Sequence, residues 1–198
     1  MNKKVITIIL NIVLIVLEII GLVMTFRNLG WRESIKYYTE LSNILGLLSS
    51  ILLVCFLLSG KVPRSVKLFR FISVLSLSVT FLVVLFVLGP MYGFDYKFLL
   101  FSGSMLFSHL LCPILMFISF IFLEEGKFEK GDCLIANALT IIYAIVMITL
   151  NILNKVDGPY PFLRVRHQNI FASIIWIVLI VGGSYWLSRG IKKLKERY

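Results

Sequence analysis

Six apolar runs, each long enough to cross a bilayer, follow one another through the 198 residues with only short polar segments between them. They fall at about 5–26, 38–59, 70–90, 105–123, 133–153 and 169–188, close to the roughly 20 residues that a helical span needs. In lipid every backbone donor and acceptor must be satisfied within the segment or its partners, so such runs fold as helices. The expectation is an all-α integral membrane protein, a six-transmembrane-helix bundle in which residues 1–198 form a single transmembrane domain. A soluble fold is a poor alternative, because 59% of residues are hydrophobic and only 15% charged, too few to cover one core. Lys3 and Lys4 before the first run suggest a signal peptide. That run exceeds 20 residues, contains Asn11 and Glu18 and lacks a small-x-small cleavage site, so a retained span is expected.

The net charge of +10 resides mainly between the runs. With the N-terminus inside, the inner segments hold thirteen of the basic residues: Lys3, Lys4, Lys61, Arg64, Lys67, Arg70, Lys127, Lys130 and five in the tail after Ser188. The outer segments hold seven: Arg27, Arg32, Lys36, Lys97, Lys155, Arg164 and Arg166. Cytoplasmic loops carry the excess of Lys and Arg, which puts both termini in the cytoplasm. Anionic headgroups account for the basic balance, membrane lipids are the expected partners, and no motif points to nucleic acid. Cys55, Cys112 and Cys133 have no metal-ligand spacing, so neither a metal nor another cofactor is expected.

Polar residues inside spans carry the information in a chain like this. Span two opens Tyr37-Tyr-Thr-Glu-Leu-Ser-Asn43, and Thr39, Ser42, Asn43, Gly46, Ser49 and Ser50 recur at three- and four-residue steps on one helix face. Close helix packing explains such a stripe, and Thr39 has the further option of capping its helix. Span four carries Ser108-His-Leu-Leu-Cys-Pro113, where Pro113 removes the amide that would bond the carbonyl of His109. His109 is either a structural histidine bonded to a neighbouring span or a functional one facing a cavity. Glu18 needs a partner within the membrane, with His109 and the outer arginines as candidates. Ser73, Ser76, Thr80, Asn137 and Thr140 read as packing residues.

Topology groups these features. Thr39 begins span two at the outer face, His109 lies about one turn, roughly 6 Å, into span four, and the Gly158-Pro-Tyr-Pro-Phe-Leu163 loop is outer as well. Neutral imidazole can take a proton from a hydroxyl near pH 7, so Thr39 and His109 form a sparse nucleophile–base pair. Asn43, Tyr160 or a free amide would supply the oxyanion donor. Arg164 and Arg166 would hold a lipid carboxylate or phosphate. The alternatives are a transporter or channel component lined by Glu18, His109 and the stripe, or a lipid-binding protein without turnover. Transporters usually show repeats or paired broken helices, and here one break stands out, near Pro113.

Tyr38-Thr39, the His109-to-Pro113 segment followed by Ile-Leu-Met, and Tyr160-Pro-Phe-Leu163 occur in an order that resembles the androgen-induced / androgen-dependent-TFPI-regulating family of membrane proteins, which has bacterial relatives. The resemblance runs from about Tyr37 to Phe162. It implies a threonine hydrolase acting on fatty acid esters of hydroxy fatty acids, with Thr39 as nucleophile and His109 as base. The expected setting is a bacterial plasma membrane.

Overall fold

The computed structural model describes residues 2–198, and all regular structure among them is helical. Six helices are long and apolar enough to cross a membrane: α1 (Lys3–Leu29), α2 (Tyr38–Ser59), α3 (Arg64–Met91), α4 (Leu106–Leu123), α5 (Lys130–Ile152) and α6 (Ile170–Lys195). They match the expected spans to within a few residues, except that α3 starts earlier and α6 runs on through the basic tail. Pro63 precedes α3 as its N-cap, because an extended proline can start a helix but not continue one. Gly60 ends α2 at φ 95°, a left-handed conformation that costs glycine nothing sterically.

Helices α1 and α2 turn their polar and small residues inward and apolar residues outward. On α1, Thr7, Asn11, Leu14, Glu18, Gly21, Leu22 and Thr25 are buried at three- and four-residue steps, while Val5, Ile9, Ile12, Val16, Ile19 and Val23 are exposed. Helices in lipid gain little from burying leucine and gain more from close backbones and hydrogen bonds across the interface. The whole α2 stripe, Thr39, Ser42, Asn43, Gly46, Ser49 and Ser50, is buried. Gly46 permits the closest approach, since a Cβ there would lie 2.6 Å from Oε1 of Glu18. The expected packing residues bond across helices: the hydroxyls of Ser42 and Thr80 at 2.9 Å, Ser184 Oγ to Asn137 Oδ1 at 2.5 Å, and Ser73 Oγ to the Leu45 carbonyl at 3.1 Å.

Helix α3 is the central element, with Phe71, Val74, Leu75 and Leu77 fully buried, and α6 is peripheral. Arg70, counted above among the loop charges, is a correction: it is wholly buried one turn and a half into α3. It donates from Nη2 to Oε1 of Glu124 at 2.5 Å and from Nε to Oε2 at 3.1 Å. Its Nη1 donates to the hydroxyls of Ser49 and Ser50. A guanidinium cannot shed its proton, so at this depth it is retained only by so complete a set of acceptors. The tail is also more than a surface anchor, because Lys195 turns inward and donates to the carbonyls of Ile121 (3.0 Å) and Glu124.

Candidate functional site

The end of the bundle where α2 begins gathers the polar residues singled out from the sequence. Tyr37 is the N-cap of α2 and no side chain caps the helix, so Thr39 lies inside the first turn, not at the cap. Its amide is one of the first-turn donors that the helix cannot satisfy, and it donates to the phenol oxygen of Tyr160 at 3.2 Å. The Thr39 and Tyr160 hydroxyls lie 3.2 Å apart. The phenol oxygen thus accepts from the amide and shares a second hydrogen bond with Thr39 Oγ1, in which either hydroxyl can donate. Burial pushes the Tyr160 phenol up to about 12, so it remains a neutral donor.

Tyr160 is fixed by its loop. Its ring stacks on Phe162 at 5.2 Å and meets Tyr37 edge-on at 5.9 Å, and Phe162 in turn packs on Trp176 of α6. Pro161–Leu163 form a single tight helical turn. Gly158 takes φ 81° and would bring a Cβ within 3.1 Å of the Leu163 carbonyl, so glycine is needed to close the loop. Gln168 donates to the Phe162 carbonyl from the far side.

Thr39 and Tyr160 line a narrow cavity with about 40 Å³ of free space between α2, α3, α5 and α6. Its wall is apolar, with Val83, Leu88, Ala144, Ile148, Trp176 and Ile180 facing inward. The polar atoms are confined to one end, where Tyr38 and Thr140 share a 2.8 Å hydrogen bond beside Thr39. An apolar lining that ends in a hydroxyl matches the chemistry of an acyl ester.

His109 lies on a wide, π-type turn of α4, Leu106–Leu111, directly before Cys112 and Pro113. The missing amide of proline leaves the helix no i→i+4 bond to the His109 carbonyl, and the turn expands there. The imidazole is buried and its Nδ1 lies 2.7 Å from the Leu99 carbonyl. A carbonyl only accepts, so Nδ1 carries the proton and Nε2 keeps the basic lone pair. No hydrogen bond joins His109 to Thr39 among the described residues; the connection runs through Asn43. Its Nδ2 donates both to the Thr39 carbonyl (2.7 Å) and to the carbonyl of Ser108, the residue before His109 (3.3 Å). Asn43 thus ties the first turn of α2 to the expanded turn of α4, and its Oδ1 is buried without a partner.

Three expected supporting residues have other neighbours. Glu18 does not orient the imidazole, since Leu99 does. Its carboxyl is buried against Gly46 and beside the Cys112 thiol, with no N–H or O–H donor for either oxygen among the described residues. Arg164 and Arg166 both face Asp157, at 3.8 and 3.7 Å, and His167 joins them at 2.8 Å. They close the loop and do not line the cavity. Sequence reading also passed over Glu40, buried beside Thr39. Its signal was its place between Thr39 and Asn43 in a helix that turns polar residues inward.

The class that fold and site define is a six-helix, membrane-type bundle with a hydroxyl-ended apolar cavity. Comparison with protein-family models, with curated proteins and with solved structures finds no match.

Proposed function

We propose that the chain is an intramembrane lipid-ester hydrolase with Thr39 as nucleophile and His109 as general base. The observation that carries this reading is the Thr39 hydroxyl at the polar end of an apolar cavity, held by the neutral phenol of Tyr160. The order of the Tyr-Thr, His–Pro and Tyr-Pro-Phe segments, which resembles the membrane threonine hydrolases, supports it.

The acyl chain lies in the cavity and the ester carbonyl meets Thr39. Oγ1 attacks the carbonyl carbon as its proton passes to Nε2 of His109. This requires Thr39 Oγ1 and His109 Nε2 to come within hydrogen-bond reach of each other on substrate binding. The oxyanion is stabilised by the Tyr160 phenol and by the positive end of α2. Collapse breaks the bond to the leaving alkoxide, which takes the proton from His109. Water, deprotonated by the same imidazole, then cleaves the threonine ester and releases the fatty acid. With Arg70 set aside as a buried residue of α3, the basic residues still divide twelve to seven, which supports cytoplasmic termini and this chemistry near the outer face of a plasma membrane. Fatty acid esters of hydroxy fatty acids are the first substrates to assay.

A second reading draws on Glu18, whose buried carboxyl, without an N–H or O–H donor among the described residues, favours passage of a proton or cation along the α1–α2 interface. One set of variants separates the two. Hydrolysis predicts that purified Thr39→Ala loses at least about 10³-fold in turnover while Glu18→Gln retains it. Transport predicts flux in proteoliposomes that Glu18→Gln abolishes and Thr39→Ala leaves intact.

A further inference from the structure

The opposite end of the bundle, which carries both termini, holds a second, roomier cavity of about 290 Å³ with a different character. Four ammonium groups line it: Lys3 and Lys4 from the first turn of α1, Lys67 from α3 and Lys195 from the end of α6. Lys3, Lys4 and Lys67 have no carboxylate within 4.0 Å among the described residues. Lys195 is buried, and only carbonyl oxygens accept from it. Of the two acids on the wall, Glu124 is engaged by Arg70, and Glu125 is exposed to solvent. The positive end of the 27-residue α1 adds to the field. Positive charge in this cavity is therefore in excess and held by separate helices, and the buried ammonium of Lys195 has a donor to spare.

The remaining wall is apolar: Leu53 and Leu57 at the end of α2, with Val62, Phe120 and Phe128. A soluble anion would leave that surface uncovered. We propose that this cavity binds a phosphate-bearing amphiphile, the phosphate resting among Lys3, Lys4 and Lys67 and the first methylenes of its chain against Leu53 and Leu57. An anionic phospholipid of the surrounding leaflet has this chemistry. Bound there, it bridges the start of α1, the end of α2 and the start of α3, which no ion pair joins at this end among the described residues. The site is separate from the Thr39 cavity, and its occupancy does not depend on hydrolysis.

The test is calorimetric titration of the full chain in a neutral detergent with short-chain phosphatidylglycerol, short-chain phosphatidylcholine and inorganic phosphate. Phosphatidylglycerol should bind with one-to-one stoichiometry, and phosphatidylcholine should bind far more weakly. Lys4→Gln with Lys67→Gln should weaken phosphatidylglycerol at least about tenfold. Lys193→Gln with Arg197→Gln, which removes the same charge from the same end outside the cavity, should change it less than about twofold. Lys4 is exposed and Lys67 half-buried, so both proteins should elute as the wild type does. Inorganic phosphate that displaces the lipid only at much higher concentration identifies a lipid site; phosphate that binds as tightly by itself reassigns the cavity to soluble phosphates and overturns the amphiphile. Equal losses in the two double variants, or equal binding of the two lipids, would also overturn it.

Discussion

Removing the guanidinium of Arg70 should destabilise the bundle more than any other single truncation at this depth. Arg70→Ala deletes two hydrogen bonds to Glu124 and two to Ser49 and Ser50. The Glu124 carboxylate stays buried, with Ser119 Oγ at 2.8 Å as its remaining side-chain donor. Ser119 in turn accepts from Asn11 of α1 at 2.9 Å, so the defect reaches four helices. Breaking one side of a buried pair costs about 3–5 kcal/mol. At roughly 2–4 °C per kcal/mol for a chain of this length, thermal unfolding in detergent should fall by about 6–20 °C. Arg70→Met with Glu124→Gln removes both charges and should recover most of that loss, to within about 1–2 kcal/mol of wild type. The assay is a double-mutant cycle read by the loss of helical signal on heating. Losses that simply add, or an Arg70→Ala midpoint within about 2 °C of wild type, would refute the view that this pair is coupled and structural.

The candidate site gives further expectations. Tyr160→Phe removes the hydroxyl that bonds Thr39 and would donate to the oxyanion, and keeps the ring, so kcat should fall about 10²–10³-fold with little change in KM, measured on a soluble ester. Gly158→Ala forces a left-handed alanine at about 1–2 kcal/mol against the Leu163 carbonyl; it should lower both stability and turnover, whereas a merely spacer-like loop would leave turnover unchanged. Ala144→Phe fills the apolar cavity and should lower kcat/KM for long-chain esters while sparing short ones, and equal loss on both would place the acyl chain elsewhere. Arg164→Ala with Arg166→Ala leaves Asp157 with His167 alone, and because those contacts are largely exposed the stability should change by no more than about 1 kcal/mol.

Span number and the inward-facing stripe of α2 were legible because lipid leaves the backbone one choice and the polar residues recur at helical spacing. The contact of Thr39 with the Tyr-Pro-Phe loop followed from topology, which put both at one end. Three things were not legible. Arg70 stands three residues after Lys67 in a basic segment, so it looked like the edge of a loop; its partner Glu124 is 54 residues away, and only packing brings the two to one depth. The hold of Leu99 on His109 comes from a backbone carbonyl in a short helix, Tyr96–Phe101, and a carbonyl leaves no mark in side-chain identity. Asp157 was not legible as the partner of Arg164 and Arg166 because loop closure brings them back onto a residue seven and nine positions earlier in the chain. The expanded turn at His109, by contrast, is written in Pro113.

Covalent labelling tests the central claim most directly. Purified chain treated with a lipophilic fluorophosphonate should gain one adduct, mapped by peptide mass spectrometry to Thr39. Thr39→Ser should still label, Thr39→Ala should not, and His109→Gln should label far more slowly, with all three eluting as the wild type does. An adduct on another residue, or labelling of well-folded Thr39→Ala at the wild-type rate, would contradict Thr39 as the nucleophile.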